Sequence, residues 1–292
     1  MQGVKLSIIT INRNNAEGLR KTLASVAAQT YRDIEHIIID GASTDGSVEI
    51  IKKYAERPVT DNCSPLTVIW SSEPDKGIYN AINKGIRKAT GEYIQILNSG
   101  DILASADVTE RMFVALDSLN AKRSSLNEDA VGIFYGNMIK KDFATGKIIN
   151  KSGYIEPSLR TFYSGTLNHD CCYIRRDLFR QYGFYDESLK IVSDWKWFLQ
   201  VIGLGSIQPQ YVDLDVTVFD ASGISETNLE SRNEERRRVL EQMLPPTILW
   251  DYDHHAFDAE QMNRLRRHHL YGLVYFMERV LFKLEKWHIL KR

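Results

Sequence analysis

Cysteine is scarce in this 292-residue chain: Cys63, Cys171 and Cys172, with no Cys-x-x-Cys pair. An odd count without metal-ligand spacing excludes a disulfide scaffold and a structural zinc site, and points to a reducing compartment. Long apolar runs are missing too. Nothing approaches the roughly 20 consecutive apolar residues of a membrane-crossing helix, and the run Leu6 to Ile11 is too short for a secretory signal core. Charge of one sign is absent: 37 basic against 38 acidic residues leave a net −1, so no overall field draws nucleic acid or a membrane. No G-x-G-x-x-G follows an apolar run, which excludes a dinucleotide-binding dehydrogenase. A nucleotidyltransferase would want a glycine-rich loop after the first strand, where this chain has Asn12-Arg13-Asn14-Asn15. The pairs His254-His255 and His268-His269 lack a third ligand at zinc spacing and read as surface residues.

What is present is alternation. The β-branched run from Val4 to Ile11 reads as a buried strand, and Leu19, Leu23, Val26 and Ala27 recur at helical spacing. Ile34–Ile39, Leu66–Trp70 and Tyr93–Leu97 read as further strands. Between the last two lies a helix with Ile78, Ile82 and Ile86 on one face and Asp75 as its cap. Another helix is expected near Val108–Leu119 and a strand at Gly132–Tyr135. This order predicts a mostly parallel sheet with helices on both faces. Ligands of such sheets bind beyond the carboxyl ends of the strands. Every such end here is polar or acidic: Asn12, Asp40, Glu73 with Asp75, and Asn98 with Asp101. From about 136 to 225 strands and short helices mix, including a helix over Ser193–Val201 and a strand over Tyr211–Phe219. From Asn228 onward the chain reads as helices broken at Pro245-Pro246, with Ala259–Trp287 the longest.

Several constellations could carry chemistry. Asp40 with Ser43-x-Asp45-Gly46 suits hydrogen bonding to a base or ribose, and equally a turn that caps the next helix. Asn98-Ser99-Gly100-Asp101 lets backbone approach a ligand, with Asp101 a hard oxygen donor for a divalent ion; alone it is also an ordinary turn. Asp194 stands between Ser193 and Trp195-Lys196-Trp197, where an acid can accept a proton and rings can stack on sugar; an N-cap with core aromatics reads as well. His169 in Asn168-His169-Asp170 is open to three roles: metal ligand, diphosphate donor or structural imidazole. Lys76, Lys84, Arg87 and Lys88 can meet phosphate or merely line a solvated helix. Residues 262–292 hold eight Lys/Arg and two Glu among many apolar side chains. Such a helix packs on its own domain or a second subunit, or lies on an anionic membrane.

The order and spacing of these segments are more specific than any one of them. SIITINRN, IIIDGASTDGS, SEPDKGIYNAINKGIRKATGEYIQILNSGD, HDCCYIRRDLFRQYGFYDESLKIVSDWKWFL and FDASGIS together resemble the family 2 glycosyltransferases of GT-A fold, over roughly residues 4–225. The resemblance implies an α/β, GT-A-type, mostly parallel sheet flanked by helices. Its catalytic domain would cover 1–225, with a nucleotide-binding half to about 101 and an acceptor half from 102, followed by a helical extension over 226–292. It implies that Thr10 and Asn12 meet the nucleotide where the first strand ends. Asp40 would read the base, with Ser43 and Asp45 in the same loop, and Asp75 would contact base or ribose. Lys76, Asn83, Asn98 and Ser99 complete the donor side, Asp101 and His169 would hold a metal, and Asp194 would be the catalytic base. Three departures stand out. The metal motif, Asp-x-Asp-Asp in the family, is Asn-Ser-Gly-Asp here. Ile82 replaces an Arg common before the position of Asn83. The Gln-x-x-Arg-Trp motif of processive synthases is missing.

The resemblance therefore implies an inverting transfer of one sugar from a nucleotide-sugar, a UDP-sugar first among donors, to an acceptor hydroxyl. A Mn2+ or Mg2+ ion would assist. The acceptor would be a glycan or glycolipid of bacterial cell-surface polysaccharide synthesis. Tyr79, Trp195 and Trp197 are candidates for stacking on sugar. The expected location is cytoplasmic, including the inner face of the membrane, with the C-terminal helix as a route to peripheral contact or dimerisation. A catalytically inactive nucleotide-sugar-binding scaffold is the other reading, favoured by the thinned metal motif.

Overall fold

The computed structural model describes residues 4–57, 66–126, 128–143, 145–220 and 228–289. Cys63 and most of the FDASGIS segment lie outside them. Four strands form the parallel part of the sheet: β1 (Leu6–Asn12), β2 (Ile34–Asp40), β3 (Thr67–Ser72) and β4 (Tyr93–Ile96), in the order β3-β2-β1-β4. Buried on both faces, β2 and β4 are continuous apolar runs broken by few polar residues. Three helices connect them: α1 (Ala16–Ala27), α2 (Ser47–Ala55) and α3 (Ile78–Lys88). The Asn15 side chain caps α1 by accepting from Gly18 N. Gly77 sits at φ 132 just before α3, and Asp75 accepts from its N–H. Close packing fixes α3 on the sheet, because a Cβ on Gly85 would lie 2.4 Å from Ile9.

Beyond β4 the sheet becomes mixed. After the short β5 (Ile102–Leu103) and α4 (Val108–Ser125) come β6 (Ile133–Lys141) and β7 (Ile148–Ser152). Then follow α5 (Leu159–Ser164), β8 (Cys172–Arg175), α6 (Asp177–Tyr182), α7 (Ser193–Phe198) and β9 (Gln210–Asp220). β8 joins β4 to β6 by antiparallel pairing on both sides, whereas β6 and β9 run parallel. The expected parallel sheet is thus realised over the first four strands, and the later strands extend it with antiparallel joins.

Three helices follow: α8 (Leu229–Met243), α9 (Pro246–Arg267) and α10 (Tyr271–Ile289). The first compact unit of the chain runs to Arg237 and the second is 238–292. The single helix expected over 259–287 is two, because the chain turns at His269, whose φ is 57, in the left-handed region that stops a helix.

Two buried titratable groups of the sheet, Glu35 and His36, are matched by their neighbours. Glu35, with a side chain 1% exposed, bonds Lys5, Ser7 and Thr90. Burial opposes its charge, but these donors outweigh burial and hold its pKa at about 2. His36 lies between the Thr10 and Tyr54 hydroxyls, and desolvation pushes it down to about 3, so it is neutral.

Candidate active site

The direction of strand addition reverses at β1, which lies between β2 and β4. A ligand crevice is expected at that switch point, and a cleft of about 560 Å3 opens there. Asn12 and Asn15 line it from the end of β1, Asn98 to Asp101 from the end of β4, and Asp75, Gly77 and Tyr79 from the start of α3. Across from them stand His169, Lys190, Ile191 and Asp194. Such a volume and polar rim suit a nucleotide-sized ligand.

Beside the cleft the 40–46 loop is tied to β1. Asp40 is fully buried, and its Oδ1 accepts from Asn12 Nδ2 at 2.8 Å and Ser43 Oγ at 2.6 Å. Its Oδ2 accepts from Ser43 N at 2.9 Å and Ser72 Oγ at 2.7 Å. Burial would raise the Asp40 pKa, and these four bonds lower it instead. They also hold Ala42 at φ 57, a conformation costly for a residue with a Cβ. Asp45 accepts from Ala16 N and Ser47, joining the starts of α1 and α2. Asp75 approaches the same loop, for a Cβ on Gly41 would fall 2.3 Å from Asp75 Oδ2.

At the opposite wall α7 presents Asp194. Its Oδ2 is 2.8 Å from His169 Nδ1, and its Oδ1 accepts from the Tyr79 hydroxyl at 2.7 Å. That hydroxyl also lies 2.6 Å from the Ile191 carbonyl, so it donates to one of the two at a time. The second nitrogen of His169, Nε2, is 3.2 Å from Asn98 Nδ2. Burial would lower the His169 pKa, but the bond and charge of Asp194, helped by Asp170 and Asp101, raise it to about 9. Conversely, burial would raise Asp194, while His169 and then Tyr79 hold it below the usual carboxylate range. Each partner of the pair thus favours the charged form of the other.

Among the described residues no group of three His, Cys, Asp or Glu is arranged to hold a metal. Oxygen donors of mixed type are nevertheless in place. Asn98 Oδ1 is buried without a hydrogen-bond partner, and the Asp101 carboxylate is at the same edge of the cleft. Hard cations accept amide and carboxylate oxygens alike, so Asn98 and Asp101 are of the chemical type that would hold a divalent ion, which would offset phosphate charge there. His169 joins such a set only once it has lost its Nε2 proton.

The structure brings Asn12, Asp75, Asn98, Ser99, Asp101, His169 and Asp194 to one cleft. It draws two expected donor residues out of it. Thr10 is fully buried and bonds His36. Asn83 is 1% exposed and clamps the Tyr185 backbone and Glu187 to α3. The Lys76 side chain is exposed, outside the lining. The tryptophans are core rather than sugar platforms. Trp197 stacks on Phe179 and donates to Gly183 O, and Trp195 donates to Phe162 O. Tyr79, considered for stacking, acts through its hydroxyl instead.

A second, smaller cavity of about 150 Å3 lies behind the same wall and shares His169, Ile191, Asp194 and Phe219 with the cleft. Arg232 and Arg236 of α8 line it. Neither carried a motif; an arginine on a polar helix gives no sequence signal for a site. Glu235, their neighbour, accepts from Lys190 N at 2.8 Å and Ile191 N at 2.9 Å, fixing the loop that leads into α7.

The comparisons agree with this geometry. The family model described as Glycosyl transferase family 2 matches residues 7–183. An uncharacterised glycosyltransferase of Mycobacterium tuberculosis (strain H37Rv) is 31% identical over 222 residues, 75% of this chain and 76% of that protein. A PGL/p-HBAD biosynthesis glycosyltransferase of Mycobacterium bovis (strain BCG / Pasteur 1173P2) is 26% identical, over 76% and 79% of the two chains. Among solved structures, S. aureus TarS 1–349 in complex with UDP-GlcNAc superposes with a TM-score of 0.56 at 19% identity, over 81% of this chain and 64% of that one. A mannosyltransferase, PcManGT from Pyrobaculum calidifontis, in complex with GDP-Man and Mn2+, gives 0.55 at 19%, over 83% and 64%. This chain spans 39% of the longer TarS chain. At these identities the structural matches establish the GT-A-type fold. The sequence matches go further, and with the strand-end cleft they make this chain a glycosyltransferase of family 2.

Proposed function

We propose that the chain transfers one sugar from a UDP-sugar to an acceptor hydroxyl with inversion, in the synthesis of a bacterial cell-surface polysaccharide or glycolipid. One observation carries this reading: Asp194 stands in the wall shared by two cavities. The larger cavity takes the nucleotide-sugar and the smaller brings up the acceptor. Asp194 is then the base that removes the acceptor's proton as its oxygen attacks the anomeric carbon, and the nucleoside diphosphate departs on the far side. A deprotonated Asp194 at neutral pH suits that role. Tyr79 and His169 orient its two oxygens.

On the donor side Asp75 and Asn12 contact base and ribose, and the Asp40–Ser43 loop shapes their pocket. The N-terminal amides of α3 face the cleft, where they favour phosphate. Asp101 and Asn98 Oδ1 would hold a divalent ion, which when bound offsets charge on the diphosphate. A relative named for PGL/p-HBAD biosynthesis supports the acceptor class, and the UDP-GlcNAc complex of a fold neighbour supports the donor class.

No helix of the described residues is long and apolar enough to cross a membrane. α10 exposes Leu273, Phe276, Met277 and Leu281, which gives it the means for peripheral membrane contact at the cytoplasmic face or for pairing with a second copy.

Calorimetry with UDP and GDP, with and without Mn2+, tests the donor assignment. Metal-stimulated binding of UDP upholds it. Binding of GDP alone changes the donor class, and binding of neither in folded protein favours an inactive scaffold.

A further inference from the structure

The wall that carries Asp194 also carries a cation, Lys190. It lines the larger cleft across from the Asn98–Asp101 loop. Its main chain is fixed from two sides. Glu235 accepts from Lys190 N at 2.8 Å and from Ile191 N at 2.9 Å. Two side chains of the first turn of α3 hold the same segment: the Tyr79 hydroxyl lies 2.6 Å from the Ile191 carbonyl, and Asn80 Nδ2 donates to Glu187 Oε2 at 2.7 Å. The Lys190 side chain, by contrast, is exposed, and among the described residues its ammonium has no hydrogen bond and no ion pair. Acids of the cleft are turned to other groups, Asp194 to His169 and Tyr79, and Asp75 to Gly77 N. Arg13, which also lines the cleft, stands at the Asp75 end, for a Cβ on Gly41 would lie 3.3 Å from Arg13 Cδ and 2.3 Å from Asp75 Oδ2. A nucleoside diphosphate brings negative charge into a cleft already lined by Asp75, Asp101 and Asp194. Charge that leaves water needs a partner of opposite sign. A lysine on a fixed backbone offers a point charge with three donors that can follow phosphate oxygens.

Resting on the transferase reading above, we propose that Lys190 is a further residue of the donor site, whose ammonium binds the diphosphate of the nucleotide-sugar. When the bond between the anomeric carbon and the β-phosphate oxygen breaks, its electron pair stays on that oxygen. Lys190 offsets the charge gained there, and the acceptor's proton passes to Asp194. Glu235 acts on the donor through the backbone it holds.

Calorimetry on the full chain, at one fixed Mn2+ concentration, compares UDP with uridine and GDP with guanosine. The quantity read is the preference for the diphosphate over its own nucleoside. A hydrogen bond between charged groups is worth about tenfold in affinity, so that preference should fall about tenfold in Lys190→Gln, with nucleoside affinity within about twofold of the original. Lys190→Arg keeps the charge and should retain most of the preference. The Lys190 ammonium holds no other described group, so both variants should fold, and an unchanged melting temperature checks this. A preference that survives Lys190→Gln overturns the proposal and leaves the lysine a solvated side chain. Equal binding of nucleoside and diphosphate by the unaltered protein overturns it as well. So does an equal loss for both in Lys190→Gln, which would mean a disturbed wall instead of a lost phosphate contact. Failure of both nucleotides to bind the unaltered protein would sink the donor reading and this contact together, whereas binding with a preference that Lys190→Gln leaves intact sinks the contact alone.

Discussion

The Tyr79 hydroxyl and the Asp194 carboxylate, 115 residues apart in the chain, meet at 2.7 Å. One comes from the first turn of α3 at the cleft, the other from the first turn of α7 in the opposite wall. Their bond lowers the basicity of Asp194 and aims it between the two cavities. Tyr79→Phe removes the donor and leaves the ring. The acid limb of the pH profile of kcat/KM should then move upward, by on the order of one pH unit, because an Asp194 that has lost a stabilising donor protonates more readily. An unmoved limb with a reduced rate would make Tyr79 merely structural.

Asp194→Asn keeps the shape of the site and removes the base. Transfer should fall by about 10²–10⁴-fold, with UDP affinity within about twofold of the original, since Asp194 lies across the cleft from Asn12 and Asp75. Activity retained within tenfold would take the proton-accepting role away from this residue.

Asn98→Asp restores a second carboxylate beside Asp101. Ion affinity at hard-cation sites rises with the number of charged ligands. In the presence of UDP, Mn2+ should bind roughly tenfold more tightly than in the unaltered chain. Unchanged Mn2+ affinity would move the ion off this loop.

Gly41→Ala separates folding from donor binding. The added Cβ would lie 2.3 Å from Asp75 Oδ2, a side-chain end that can swing aside. Thermal stability should therefore change little, by about 1 kcal/mol or less, while UDP binding weakens because Asp75 is displaced. A large loss of stability with unaltered UDP affinity would contradict the placement of Asp75.

Glu35 sets an acid limit on stability. Its pKa lies at about 2 in the folded chain against an ordinary 4.5, so its contribution is fully present above pH 5 and drains away as pH falls towards 2. Between pH 6 and pH 3 the unaltered protein should lose about 2 kcal/mol more than Glu35→Gln, read by denaturant unfolding. Parallel slopes would mean that Lys5, Ser7 and Thr90 do not hold the charge as described.

The polar edge of the cleft was legible because strand ends are local. Asn12 and Asn98 follow apolar runs directly, Asp75 and Asp101 follow a few residues behind, and the alternation of strands and helices alone brings them to one edge. Asp194 was legible as an acid at a helix start. What sequence could not supply was orientation and distance. Thr10 and Asn83 carry polar side chains beside the cleft, yet a strand's pleat and a helix's back turn them inward to His36 and Glu187. Trp195 and Trp197 flank the site residue, but periodicity cannot separate a sugar platform from a core ring. Arg236 reaches the site from a polar helix far along the chain, through folding that no local pattern records.

The strut from Glu235 to Lys190 and Ile191 has one more consequence. The helix that steadies the loop before Asp194 is the same helix that carries Arg232 and Arg236, and it lies outside the 7–183 stretch that defines the family. A chain ended after β9 would keep Asp194 yet lose the brace on the loop before it. A change in α8 would therefore reach Asp194 through the backbone at residues 190 and 191, without touching any residue at the strand ends.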